Sequence, residues 1–88
     1  MIKAFQLRAA RACLNISQAD LARETDNSTS TINRLEMDQE FVELAKGKTL
    51  MKIIGFFERN GVEFLNENKE REKGAGLRFT QSLPKDQN

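Results

Sequence analysis

Apolar and polar residues follow one another along this chain with two different periods. From residue 4 to 14, Leu7, Ala10, Arg11 and Leu14 recur at i, i+3, i+4 and i+7 in a stretch rich in Ala, Leu and Arg. That spacing and composition predict a helix. Asn15 and Ile16 interrupt it. Ser17 opens a second helix that stops near Thr25, with Leu21 and Ala22 facing inward. Its start, Ser17-Gln18-Ala19-Asp20, reads as a capping box with Asp in place of the longer Glu. Asp26 and Asn27 tolerate a left-handed backbone and mark a turn. Ser28 then caps a third helix that runs through Glu36.

Residues 37–47 carry Asp38, Glu40 and Glu43 beside Phe41, Val42 and Leu44. They read as a long loop with a single helical turn. Thr49 is the expected cap of a fourth helix that ends near Asn60, with Leu50, Ile53, Ile54 and Phe57 at helical spacing and Gly61 as its stop. Beyond it, Val62–Leu65 and Leu77–Thr80 have strand-like composition and are joined by a polar, charged segment expected to be a mobile loop. The chain therefore divides into a helical domain at 1–60, a strand pair at 61–80 and a flexible tail at 81–88, which holds the only proline, Pro84. The fold class is mainly α, with four to five helices and a short C-terminal β-strand pair.

Composition narrows the chemistry. There is one cysteine, Cys13, and no histidine, tryptophan or tyrosine. A zinc site needs a cluster of Cys and His, and a cysteine nucleophile needs an activating partner, so neither is expected. Cys13 reads as a small residue within a helix. The carboxylates are spread as on solvated helix faces. No enzyme activity, metal or cofactor is expected. No apolar run approaches the roughly 20 residues of a membrane span, and Met1–Gln6 lacks the apolar core of a signal peptide. A cytoplasmic protein without a membrane partner is the expectation.

Two short capped helices across a tight turn outline a helix-turn-helix. The chain here resembles the XRE-type, or Cro-like phage-repressor, helix-turn-helix family. The resemblance lies in Leu7-Arg8-Ala9-Ala10-Arg11, in Ser17-Gln18-Ala19-Asp20-Leu21-Ala22, and in Ser28-Thr29-Ser30-Thr31-Ile32-Asn33-Arg34-Leu35-Glu36. It spans about residues 2–60. Gly61-Val62-Glu63-Phe64-Leu65 with Gly76-Leu77-Arg78-Phe79 also looks like short members that end in a strand pair. It implies a lambda-repressor-like domain that binds double-stranded DNA. This chain departs from the family at Asp26 and Asn27, where Gly and an aliphatic residue are usual. Asn27 is expected to forfeit a core contact and leave the turn less rigid.

Helical spacing puts Thr29, Ser30, Asn33 and Arg34 on one face of the third helix and Ile32 and Leu35 on the other. The resemblance makes the polar face a recognition face. It offers Arg34 to guanine, Asn33 to adenine and the Thr29 methyl to thymine. It also implies that Gln18 touches phosphate and braces the recognition helix, with Ser17 and helix N–H groups helping to hold phosphate. Arg8 is expected to face solvent or phosphate. Arg11 and Glu36 are expected to pair structurally, joining the first helix to the end of the third.

Net charge qualifies this reading. With 14 Lys and Arg against 13 Asp and Glu, the chain carries only +1, less than is usual for a DNA-binding domain. Folding must therefore sort positive charge onto one face. The expected function is a sequence-specific transcriptional regulator, a repressor or autoregulator, acting as a homodimer. An isolated strand pair is marginal and leaves an open edge. Phe64, Leu65, Leu77 and Phe79 are therefore expected to pack on the fourth helix and on a second protomer. The alternative is a protein-interaction module or antitoxin that uses the same fold to grip a partner protein, which the acidic stretch from Asp38 to Glu43 favours.

Overall fold

The computed structural model describes residues 2–68 and 70–80; the expected tail at 81–88 lies outside them. Five helices and one antiparallel strand pair follow in order: α1 Ala4–Leu14, α2 Gln18–Glu24, α3 Thr29–Met37, α4 Gln39–Leu44, α5 Gly47–Arg59, β1 Val62–Leu65 and β2 Gly76–Phe79. The mainly α expectation with a terminal strand pair holds. None of these helices is long and apolar enough to cross a membrane.

Local chemistry sets the early boundaries. Asn15 takes a left-handed backbone at φ 55° and closes α1. The capping box on α2 is real but uneven. Asp20 N donates to Ser17 Oγ at 3.0 Å, while Ser17 N reaches Asp20 Oδ2 only at 3.3 Å. The shorter Asp side chain accounts for the longer arm. The α2–α3 turn pivots on Asp26 at φ 56°. Asn27 is not idle there: its amide donates to the Thr25 carbonyl and to Thr25 Oγ1, both at 3.0 Å, and its N–H bonds Ala22 O at 2.9 Å. Buried Thr25 in turn donates to Leu21 O at 2.6 Å. Hydrogen bonds thus replace the apolar contact that Asn27 gives up.

The middle of the chain departs from expectation. Residues 39–44 are not a loop but the six-residue helix α4. Asp38 caps it through the Phe41 N–H at 3.3 Å, and Glu40 sits in its first turn. The acidity that reads as a loop is chemistry suited to the positive end of a helix. Val42 is fully buried and anchors it. Ala45 and Lys46 alone are extended, so α5 begins at Gly47 and not after Thr49. Thr49 N already bonds the Lys46 carbonyl at 3.0 Å, inside the first turn.

Gly61 carries φ 86°, which only glycine adopts without strain, and turns α5 into β1. The strands pair Val62 with Phe79 and Leu65 with Gly76, so β2 is shifted one residue from the expected 77–80. The expected loop between them is partly ordered by a further bridge, in which Asn68 and Lys73 exchange backbone bonds of 2.7 and 2.9 Å.

One core joins all of this. Leu7, Ala10, Leu21, Ala22, Ile32, Leu35, Val42, Ile53, Phe57 and Val62 are each at most 3% exposed. Leu50 and Ile54 are half-buried at its margin. Phe57 meets Phe56 and Phe64 edge to face, with ring centres 5.4 and 5.7 Å away.

Candidate nucleic-acid interface

The polar surface of α3 is presented by a framework behind it. Ile32 and Leu35 are buried and hold the helix to the core, leaving Thr29, Ser30, Asn33 and Arg34 exposed as their spacing predicts. Ser28 Oγ accepts the Thr31 N–H at 3.1 Å, and no acidic side chain occupies the first turn. The positive end of α3 is thus open to an anion.

Glu36 locks the far end of the helix. It is 1% exposed yet ionisable, so it needs partners. Arg11 supplies a fork: Nε donates to Oε2 at 2.7 Å and Nη2 to Oε1 at 3.0 Å. A third nitrogen, Nη1, bonds the Ile16 carbonyl at 3.0 Å and so also holds the α1–α2 connection. The Glu36 hydrogen bond holds the Arg11 guanidinium above its ordinary pKa, against the opposing effect of burial. The expected pairing of Arg11 with Glu36 is therefore present.

Gln18, the first residue of α2, reaches across to α3. Its amide reaches Glu36 Oε1 at 3.1 Å and Asn33 Oδ1 at 3.2 Å. Gln18 thus braces α3 and fixes which way the Asn33 amide points. Ser17, beside it, is exposed at the start of α2. Arg8 is exposed, as expected, and makes one contact the sequence did not suggest. It donates to the Glu36 carbonyl and tethers α1 to the last turn of α3. Arg34 also has a partner that its spacing did not announce: its guanidinium lies 4.1 Å from the centre of the Phe41 ring on α4.

The strand residues divide. Phe64 and Leu77 oppose one another and pack on the core of their own chain. Leu65 is half-buried, and Phe79 is 49% exposed. Two of the four residues expected at a second protomer are thus largely used within one chain. Cys13 is free and half-buried on α1.

Sequence reasoning missed Gln6 and Gln39. Gln6 is 1% exposed, and its amide donates to the carbonyls of Leu65 and Gly76 at 2.9 and 2.8 Å. Gln39 Oε1 accepts the Ala4 N–H at 2.7 Å, capping α1 from 35 residues away. Both act on backbone groups, so no partner side chain in the sequence points to them.

Comparison with protein-family models, curated proteins and solved structures returns no match.

Proposed function

We propose that this protein binds double-stranded DNA as a sequence-specific regulator of the XRE type, a repressor or autoregulator and not an enzyme, acting in the cytoplasm. The observation that carries the reading is the α2–α3 unit. An exposed row of Thr29, Ser30, Asn33 and Arg34 projects from a helix whose other side is buried. A charged network to α1 and α2 holds its last turn. Base reading needs donors and acceptors held to a fraction of an ångström on an element narrow enough for the major groove.

A homodimer fits this reading. Phe79 offers apolar surface on a strand pair, and two recognition helices about 34 Å apart would read a near-palindromic site. Selection of bound duplexes from a random pool tests the proposal. Arg34→Ala is expected to cost about 1–3 kcal/mol on the selected site and to relax preference at one base pair. Equal weakening on selected and random duplex would contradict base reading.

A second reading has its own observation. Met37 and Leu44 are 70% and 77% exposed beside Asp38, Glu40 and Glu43. That surface repels phosphate and suits a partner protein, as in an antitoxin. Absence of duplex binding at low salt, with capture of a basic partner that Leu44→Asp abolishes, would favour it.

A further inference from the structure

Arg34 is the only cation in α3, and it does not hang free. Its guanidinium carbon stands 4.1 Å from the centre of the Phe41 ring. That ring is itself held: Phe41 is half-buried against the core, and Asp38 caps its backbone N–H. Stacking on an aromatic face uses the flat side of a guanidinium and leaves the N–H donors at its rim free. Those rim donors make the bidentate contact to guanine O6 and N7.

The surroundings add a second constraint. Arg34 enters none of the ion pairs among the described residues. Asp38 lies one helical turn beyond it and Glu40 follows, both exposed. A full phosphate charge is repelled by such carboxylates more strongly than the uncharged acceptor edge of a guanine. The site therefore suits a base contact better than a backbone contact.

We propose that Phe41, on α4, is the positioning residue that pre-orients Arg34 for a guanine. The proposal rests on the DNA-binding reading above and extends the reading surface from α2–α3 to α4. Holding the side chain before binding removes part of the entropy that ordering it would cost.

The test uses the full chain. In the free protein, NMR of Arg34 should show ring-current shifts at its δ protons that vanish in Phe41→Leu and persist in Phe41→Tyr. On DNA, the probe is the best duplex from a random pool, together with the same duplex changed at the base pair where Arg34→Ala relaxes preference. Phe41→Leu should reduce discrimination between the two by about two- to fivefold. Affinity for random duplex should stay unchanged, and Phe41→Tyr should restore the discrimination. Undiminished discrimination in Phe41→Leu would overturn the proposal. So would equal loss on all duplexes with no recovery in Phe41→Tyr, since that marks a structural role. Wild-type protein that prefers no duplex defeats the DNA reading and the positioning role together, and intact ring-current shifts would then separate that result from failure of the stack itself.

Discussion

Two buried polar side chains, Glu36 and Gln6, join distant elements of this protein, and their junctions are built in opposite ways. At the end of α3, Glu36 is sealed inside the protein and paired with Arg11, with Gln18 filling a remaining acceptor site. At the other end, Gln6 is a neutral amide. It spans from the Lys3 N–H, which it accepts at 2.7 Å, to the two strand carbonyls. The charged junction fixes orientation strictly, because a displaced carboxylate would be left buried and unpaired. The neutral junction holds a surface hairpin in place at lower stakes, because strand carbonyls released from it can turn to water.

The charged junction should be the more costly to break, and asymmetrically so. Arg11→Ala leaves Glu36 buried with only Gln18, whereas Glu36→Ala leaves Arg11, whose side chain is 25% exposed, free to reach water. Arg11→Ala is expected to destabilise by about 3 kcal/mol, lowering the melting temperature by roughly 15 °C for a domain of this size. Glu36→Ala should cost clearly less. A double Arg11→Met, Glu36→Leu replacement should recover much of the loss, since it removes both charges from the interior. Calorimetry on the three variants ranks them, and equal melting of Arg11→Ala and parent would refute the junction's importance.

Gln6→Leu tests the other end. It keeps the volume but removes the bonds to Leu65 and Gly76, and about 1–3 kcal/mol should be lost. The effect should be local. Amide exchange ought to quicken in β1 and β2 while α2 and α3 stay protected. If protection falls evenly through the chain, the hairpin is not a separable unit and the contrast between the two ends collapses.

A smaller effect should appear with acid. Arg23, then the Ser17 backbone N–H and hydroxyl, hold the Asp20 carboxylate below its ordinary pKa. A folded value that is depressed adds stability above the unfolded value, near 3.9, and loses it as pH falls through the folded one. The start of α2 should therefore loosen below about pH 4. Asp20→Asn should flatten that part of an acid titration followed by circular dichroism. Retention of the acid step in Asp20→Asn would assign it to other carboxylates.

Much of this architecture is written locally in the chain. Ser17, Ser28 and Gly61 end or begin elements because capping and positive φ are properties of single residues and their near neighbours. The inward stripe of Leu7, Ala10, Ile32, Leu35, Ile53 and Phe57 follows from helical periodicity alone. The exposure of Thr29, Ser30, Asn33 and Arg34 follows for the same reason. Helix α4 escaped because its six residues are too few for a period to show, and its acidic capping residues look like those of a loop.

Other features were decided only when distant segments met. Gln39 caps α1 and Gln6 joins α1 to the strands, yet each does so through backbone N–H or C=O groups that do not depend on side-chain type. No pairing of residue types could reveal them. Phe41 reads as an apolar residue in an acidic stretch until α4 folds beside α3 and its ring comes under Arg34. Periodicity determines which side of a helix faces water, because that needs only the 3.6-residue turn. Which neighbour waits on that side depends on how α3 and α4 pack, and packing sums many weak contacts over the whole core.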